Sequence, residues 1–393
     1  MNTLQWLAKL VAFNTISSNS NMQLIKAIED WFKLHNINSK IIPGQVKSKA
    51  NLFATIPASN GSTEGGILLT GHTDVVPVVG QIWKTDPFVA TEKDGKIYGR
   101  GTCDMKGFIA VLLSFVPDLQ KLKLLKPIHF SFTCDEEIGC IGVDYLVDYF
   151  QKMGIRPEGC IVGEPSNLRP IIGEKGRRLY HCQVQGKSVH SSLASEGCNA
   201  IIYASRLICY INTLAKFMEK NGPFDNDFDF PFTTITTNII SGGIATNIVP
   251  GMCEFILELR YIDQFPIDNF RNQIENYINN DLLLEMRETY SEAAIYFDEI
   301  SDSPGFNAVE ESSITRLVRV VTGVKERFKV SYTTEAGIFQ SARIPTIICG
   351  PGNIEQAHSA NEFITIEQLN ICEKVLRNVI TFFCEDLTVN EKT

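Results

Sequence analysis

The strongest constraint in this sequence is an alternation. Short, continuously apolar segments such as Asn51-Leu52-Phe53-Ala54-Thr55-Ile56, Gly66-Ile67-Leu68-Leu69-Thr70 and Pro127-Ile128-His129-Phe130-Ser131-Phe132-Thr133 alternate with stretches whose apolar residues recur at helical spacing. Runs of that kind predict strands buried on both faces, and their alternation with helices predicts an α/β fold: a mixed sheet with helices on both faces. Helices are predicted over Ser18 to His35, Asp104 to Leu119, Gly142 to Met153 and Glu367 to Phe383, and strands at Gly159 to Gly163 and Pro345 to Cys349.

From about Gly173 the pattern changes. Strands are predicted at Leu179 to Gln185, Thr233 to Ile240, Glu254 to Ile262 and Ala293 to Glu299, with helices over Asn199 to Lys220 and Ile267 to Asn280. This reads as a smaller α+β module, after which the first pattern returns. The expected organisation is therefore a catalytic domain in two parts, residues 1–176 and 299–393, carrying an insertion at 177–298. Two domains also suit a length of 393 residues, which exceeds what one core usually serves.

The formal net charge of -9 argues against a nucleic-acid or anionic-membrane partner, since both call for an excess of Lys and Arg. A small molecule is the expected partner. No stretch approaches the ~18 apolar residues of a membrane span, and the first ten residues have helical spacing without the basic and apolar segments of a signal peptide. The eleven cysteines include no C-x-x-C pair, which fits reduced, buried thiols and a cytoplasmic location.

Chemistry concentrates where strands stop. His72 and Asp74 follow one predicted strand, Asp135-Glu136-Glu137 another, and Glu164 a third; Asp104 lies in the Gly-rich loop Gly99 to Asp104, and His358 follows Gly350-Pro351-Gly352. In an α/β sheet, ligands gather at the carboxyl ends of strands. Two histidines and three carboxylates suit a pair of borderline divalent ions such as zinc, with Asp104 between them. Adjacent side chains at a strand end point in different directions, so Glu137 can hold a metal while Glu136 acts as general base. Asp74 supplies a carboxylate to orient His72.

Each of these residues also has an ordinary reading. The acids can form a solvated turn, Asp104 can cap the following helix, and Glu164 and His358 can be loop residues. In the inserted module, His190 lies in the small-residue loop Gly186 to Ser192, where an imidazole can reach a ligand. Asn247 can fix a carbonyl and Arg260 can clamp a carboxylate, although turn and strand-face roles are equally open. His35, His129 and His181 read as structural. A nicotinamide-binding enzyme is disfavoured, because no G-x-G-x-x-G follows the first strands.

At these motifs the chain resembles the M20 family of dizinc metallopeptidases and deacylases. Gly71-His72-Thr73-Asp74-Val75-Val76-Pro77, Gly99 to Gly107, Asp135-Glu136-Glu137 with Gly139, and Gly163-Glu164-Pro165 follow the family's motifs in order along nearly the whole chain. Val162 to Ser166, Thr334-Glu335-Ala336-Gly337 and Cys349 to His358 are similar to the branch that deacetylates N2-acetyl-ornithine. The desuccinylase branch typically reads T-S-D-G-R at Thr334 to Ile338. The resemblance implies two divalent metals, zinc or cobalt, one held by His72 and Glu164, the other by Glu137 and His358, with Asp104 shared. Glu136 would be the base and Asp74 the support of His72.

The inserted module would be a lid and the surface of a homodimer, with His190 helping to stabilise an oxyanion, even in the partner's site. The implied reaction is hydrolysis of an N-acetyl amino acid, above all N2-acetyl-ornithine, to ornithine and acetate in arginine biosynthesis. Related N-acyl-amino-acid hydrolases, including desuccinylases, aminoacylases and dipeptidases, are the alternative. One departure stands out: Glu174-Lys175-Gly176 occupies a place where many deacetylases carry His-Lys-Gly.

Overall fold

The computed structural model describes residues 1–385, which divide into two compact units. The larger is Met1–Gly173, Phe306–Lys329 and the chain from Thr334 onward; the smaller is Glu174–Gly305 with Val330–Thr333. The insertion is thus wider than the predicted 177–298. The strand Ala294–Ser303 stays paired with Gly176–Gln185 as far as Ser303 opposite Arg177, which carries the smaller sheet past residue 298. Residues 330–333 join it because Lys175 N donates to Val330 O at 3.2 Å and Thr333 Oγ1 donates to Lys175 O at 2.7 Å.

In the larger unit, four neighbouring strands are parallel: Ile128–Thr133, Ile67–His72, Gly159–Pro165 and Thr346–Gly350, in that spatial order. Ala50–Ile56 and then Ser39–Pro43 extend the sheet antiparallel on one side, and Ile171–Glu174 pairs antiparallel on the other. All four parallel strands are buried throughout, as their apolar character requires. Successive side chains serve opposite faces. Phe130 and Phe132 meet Phe32 of the helix Met22–Leu34, with ring centroids 5.6 and 6.2 Å apart, whereas Phe53 packs at 4.9 Å on Phe150 of the helix Ile141–Met153. Helices therefore cover both faces, and the four carboxyl ends lie side by side.

Local structure departs from sequence expectation where tertiary contacts intervene. Periodicity predicts a helix from Asp104, but the regular helix is Gly107–Leu119, preceded by an irregular turn at Thr102–Lys106 in which Asp104 is extended (φ -120°, ψ 94°). The Asp104 N–H is taken by the Glu362 carboxylate at 3.0 Å. The helix predicted to begin at Ser18 begins at Met22. A small sheet of Thr91–Lys93, Lys96–Tyr98 and Phe363–Thr365 joins distant segments too short to register as strands in the sequence.

The smaller unit is an antiparallel sheet in the order Thr234–Gly242, Met252–Tyr261, Gly176–Gln185, Ala294–Ser303. Tyr180, Cys182, Val184, Phe255, Leu257 and Leu259 form its buried face, in a core shared with the helices Ala200–Asn221 and Ile267–Tyr277. The second helical region outruns the predicted end at Asn280, passing through Ile278–Leu282 into Leu283–Thr289. All eleven cysteines are free and only Cys209 is exposed. Among the described residues no helix is long and apolar enough to cross a membrane.

The acid-bearing turn after Thr133 is packed tightly against the helix that follows it. A Cβ on Gly142 would lie 1.8 Å from the Cys134 carbonyl oxygen, and Asn51 spans both, accepting from Cys134 N and donating to Gly142 O. Gly142→Ala is expected to lower stability by about 3 kcal/mol, because backbone must move on one side or the other. Urea unfolding monitored by circular dichroism checks this.

Candidate metal centre

The parallel strands deliver their terminal residues to one place. His72 ends its strand opposite Thr133, the residue before Cys134-Asp135-Glu136-Glu137, and Glu164 lies in the adjacent strand Gly159–Pro165. His358 comes from the loop after Thr346–Gly350, held by Gln81 Nε2 donating to its carbonyl at 2.7 Å. Two donor groups result: His72, Asp104 and Glu164, and Asp104, Glu137 and His358, the donor atoms of each lying within 4.8 Å of one another.

Asp104 belongs to both. Its Oδ1 is 2.9 Å from His72 Nε2 and its Oδ2 is 3.2 Å from His358 Nε2, so each carboxylate oxygen faces one imidazole. Glu164 Oε1 stands 3.6 Å from His72 Nε2, and Glu137 Oε2 stands 2.9 Å from His358 Nε2. Asp104 makes no helix cap. His358 is the most open of the set at 54 % side-chain exposure; the others are buried or nearly so. Glu136 stands outside both groups. Its carboxylate is 4.0 Å from His72 Nε2 and accepts a weak bond from the Cys140 thiol at 3.6 Å.

The crowding has electrostatic consequences. Burial, reinforced chiefly by neighbouring carboxylates, holds the Glu136, Glu137 and Glu164 carboxyls above the usual carboxylate range. Burial opposes a charge on His72, but Glu164, Asp104 and Glu136 outweigh it and push the imidazole well up. Hydrogen bonds to Asp104 and Glu137 raise His358 to about 10. Burial disfavours the charge on Asp104, and its bonds to His358 and His72 overcome that and lower its pKa. Such a surplus of buried negative charge is what a dication neutralises. Glu164 Oε1 is in addition sealed from solvent without a hydrogen bond, an orphaned acceptor aimed beside His72. Nitrogen and carboxylate donors of this kind fit zinc or a similar ion.

Asp74 does something the sequence did not indicate. The acceptor on His72 Nδ1 is the main-chain carbonyl of Asp74 at 3.0 Å, while its carboxylate lies 3.8 Å away. That carboxylate instead accepts from Ser17 Oγ at 2.7 Å and from the N–H groups of Glu136 and Glu137 at 3.2 and 3.3 Å. It orients the acid pair more directly than the imidazole.

Two further supporting residues, Glu362 and Lys49, lie outside every sequence motif. Glu362, fully buried, accepts from Arg100 Nη1 at 2.8 Å and from the N–H groups of Gly101, Cys103 and Asp104 at 2.8 to 3.0 Å, fixing the Asp104 loop. Lys49 and Asp135 form a buried pair at 2.7 Å, Lys49 also donating to Ser17 O. The one sequence signal that could have pointed to such an acid is Arg100 in the Gly-rich loop, and it does not single out Glu362.

Within the smaller unit, His190 is exposed, its Nδ1 2.8 Å from Ser192 Oγ. Asn247 is its neighbour: His190 bridges Ile248 and Ser191 N donates to Asn247 O at 2.9 Å. Arg260 is apart from them on the strand Met252–Tyr261, with Nη2 3.0 Å from Glu258 Oε1 and Nη1 near Ser331 O. Glu174 is buried. His129 and His181 have the structural partners expected of them: Thr55 and Gly65 for the first, Glu254 for the second.

Residues 68–381 match the model of peptidase family M20/M25/M40, and the chain belongs to that family of peptidases and related hydrolases. Among similar proteins, acetylornithine deacetylase of Pasteurella multocida is 34% identical over 389 residues, 97% of this chain and 98% of that protein. A tripeptidase from Staphylococcus aureus superposes with a TM-score of 0.76 at 20% identity, covering 97% of this chain and 98% of its own. A dinuclear metal-binding M20 peptidase from Bacillus subtilis superposes with a TM-score of 0.66 at 13% identity, covering 97% of each chain.

Lys49→Met leaves Asp135 charged and unpaired beneath the acid turn, and is expected to cost about 3 kcal/mol of stability. Combining it with Asp135→Asn is expected to recover part of the loss. A double-mutant cycle by chemical denaturation measures the coupling, and strictly additive losses would show that the pair is not a unit.

Proposed function

We propose that this protein is a metal-dependent amidohydrolase that removes the acetyl group from N2-acetyl-ornithine, giving ornithine and acetate. One observation carries the reading: Asp104 presents one oxygen to each of two donor groups while Glu136 stands beside both and belongs to neither. A chain serving only to bind metal has no use for that spare carboxylate. The likeness to the Pasteurella deacetylase over nearly the full length of both chains supports the choice of substrate.

In this reading His72 and Glu164 would hold one divalent ion and Glu137 and His358 the other, with Asp104 available to both. Bound ions of this kind polarise an acyl carbonyl and lower the pKa of the attacking water. Glu136 takes the proton of that water on a carboxylate oxygen and returns it to the leaving α-amine. Burial and adjacent acids hold its carboxyl above the usual range, which suits a group that must accept a proton and then release it. Asp74 keeps Glu136 aimed through the main-chain bond already described.

In the smaller unit, His190 donates to the oxyanion of the tetrahedral species, Asn247 fixes a substrate carbonyl, and Arg260 clamps its carboxylate. The same unit forms a homodimer: the edge strand Thr234–Gly242 leaves Ile239 and Ile240 exposed, and Ile202 at the start of Ala200–Asn221 is exposed as well. The buried Glu174, where many deacetylases carry histidine, favours testing other N-acyl amino acids alongside.

Turnover on N2-acetyl-ornithine, N-succinyl-diaminopimelate, simple N-acetyl amino acids, dipeptides and tripeptides, with metal content measured in the same sample, tests the assignment. Fastest hydrolysis of N2-acetyl-ornithine, lost on chelation and restored by zinc or cobalt, is expected. A preference for peptides would reassign the substrate, and chelator-resistant turnover would reject the mechanism. Glu136→Gln is expected to keep its metal and lose about 10³-fold in kcat. For His190→Ala the expectation is a fall of about 100-fold in kcat with little change in KM, in a protein whose light-scattering mass is twice 43.9 kDa. An unchanged kcat would leave His190 a surface loop residue, and a monomer mass would remove the dimer.

A further inference from the structure

The motif Thr334-Glu335-Ala336-Gly337 has no part in the chemistry above, yet Glu335 is 1 % exposed. Both of its carboxylate oxygens are sealed from solvent without a hydrogen-bond partner, and so is the hydroxyl of Thr133, the side chain beside it. Buried polar groups left in this state are rare, and each calls for a reason.

Its place in the larger unit supplies one. Thr133 ends the strand Ile128–Thr133 immediately before Cys134-Asp135-Glu136-Glu137. The Thr133 carbonyl accepts two bonds from Thr73, one from its N–H at 2.8 Å and one from its hydroxyl at 2.7 Å. Thr73 stands between His72 and Asp74. The strand carrying the acid pair and the strand carrying His72 are therefore fastened at Thr133, and Glu335 adjoins that fastening. Glu335 is itself anchored, since its carbonyl accepts from Ile338 N and Phe339 N at 3.1 Å where the helix Ala336–Ser341 begins.

We propose that Glu335 is a positioning residue: set beside the Thr133 hydroxyl behind the junction of the two strands, its buried carboxyl fixes His72 and Glu136 relative to each other without touching substrate. The inference rests on the reading of His72 as a metal donor and Glu136 as base. A carboxyl suits the position because it can both donate to and accept from a hydroxyl. The groups acting on it are burial first, then Thr133, His72, Asp74 and Asp144, while Cys134 and Cys160 feel its charge in turn; its carboxyl is pushed up to about 7. Below that pH it is mainly protonated, which limits the negative charge beneath a site already rich in carboxylates.

The experiment compares wild type, Glu335→Gln, Glu335→Ala and Thr133→Val, all loaded with zinc, by zinc affinity against a chromophoric chelator and by the pH dependence of kcat. Glu335→Gln keeps the shape and a hydrogen-bonding group beside Thr133, and is expected to stay within about threefold of wild type in zinc affinity. Glu335→Ala and Thr133→Val are expected to weaken zinc about 10-fold or more, as loss of the partners behind a metal ligand does. They are also expected to move the acidic limb of the kcat profile, which reports Glu136, with KM nearly unchanged. Loss of melting temperature alone, with zinc affinity and the acidic limb as in wild type, would overturn the proposal and reduce Glu335 to a packing role. Thr133→Val changes little volume, so it keeps the test open if Glu335→Ala fails to fold. Weakened zinc in an enzyme that ignores every N-acyl substrate would support the positioning role and sink the proposed substrate instead.

Discussion

The Glu362 carboxylate, linked to Arg100 and to the N–H groups of Gly101, Cys103 and Asp104, is the interaction on which the candidate centre depends. It diverts the chain from the helical path that local periodicity favours, and so leaves Asp104 extended with its two oxygens turned toward His72 and His358. A carboxylate accepting several main-chain N–H bonds is strongly held. Without it, those buried N–H groups, for which a helix start offers no intrahelical acceptor, would lack a partner, and Asp104 would take the ordinary role of a capping residue.

The parallel sheet solves a related problem. Several carboxylates must be kept close together in a buried place, where each resists ionisation. Adjacent parallel strands end at the same edge, so one sheet delivers His72, the acid pair and Glu164 with little loop in between. Donors then come from outside the cluster to hold the acids in place. Ser17 supports Asp74, Asp74 supports the N–H groups of Glu136 and Glu137, and Lys49 neutralises Asp135.

Acids and histidines at strand ends were legible because strand ends are legible: a mostly apolar run broken by His72, Glu136 or Glu164 marks both the strand and the end where donor side chains collect. The fold class followed from the same alternation, and so did the existence of an insertion with a different grammar. Its limits did not, since Val330–Thr333 joins the smaller unit through bonds to Lys175 that no sequence pattern announces. Glu362 and Lys49 were missed for the same reason. Each is a charged residue in an unremarkable stretch, and only the residues brought around it by the fold give it a task; Glu335 lies in a recognisable motif, but its role too depends on what the fold places beside it.

Local physics, written in the order of residues, determined which segments form strands and helices, where chemistry-bearing side chains leave them, and what kinds of ion such donors suit. Tertiary structure alone decided which oxygen of Asp104 faces which imidazole, that the Asp74 carbonyl and not its carboxylate meets His72, and which distant acid bends the chain at residue 104. Those choices are made by hydrogen bonds between residues up to about 260 positions apart. Spacing along a sequence constrains neighbours within a few residues of one another, and it carries no information about a partner that arrives only when the sheet closes.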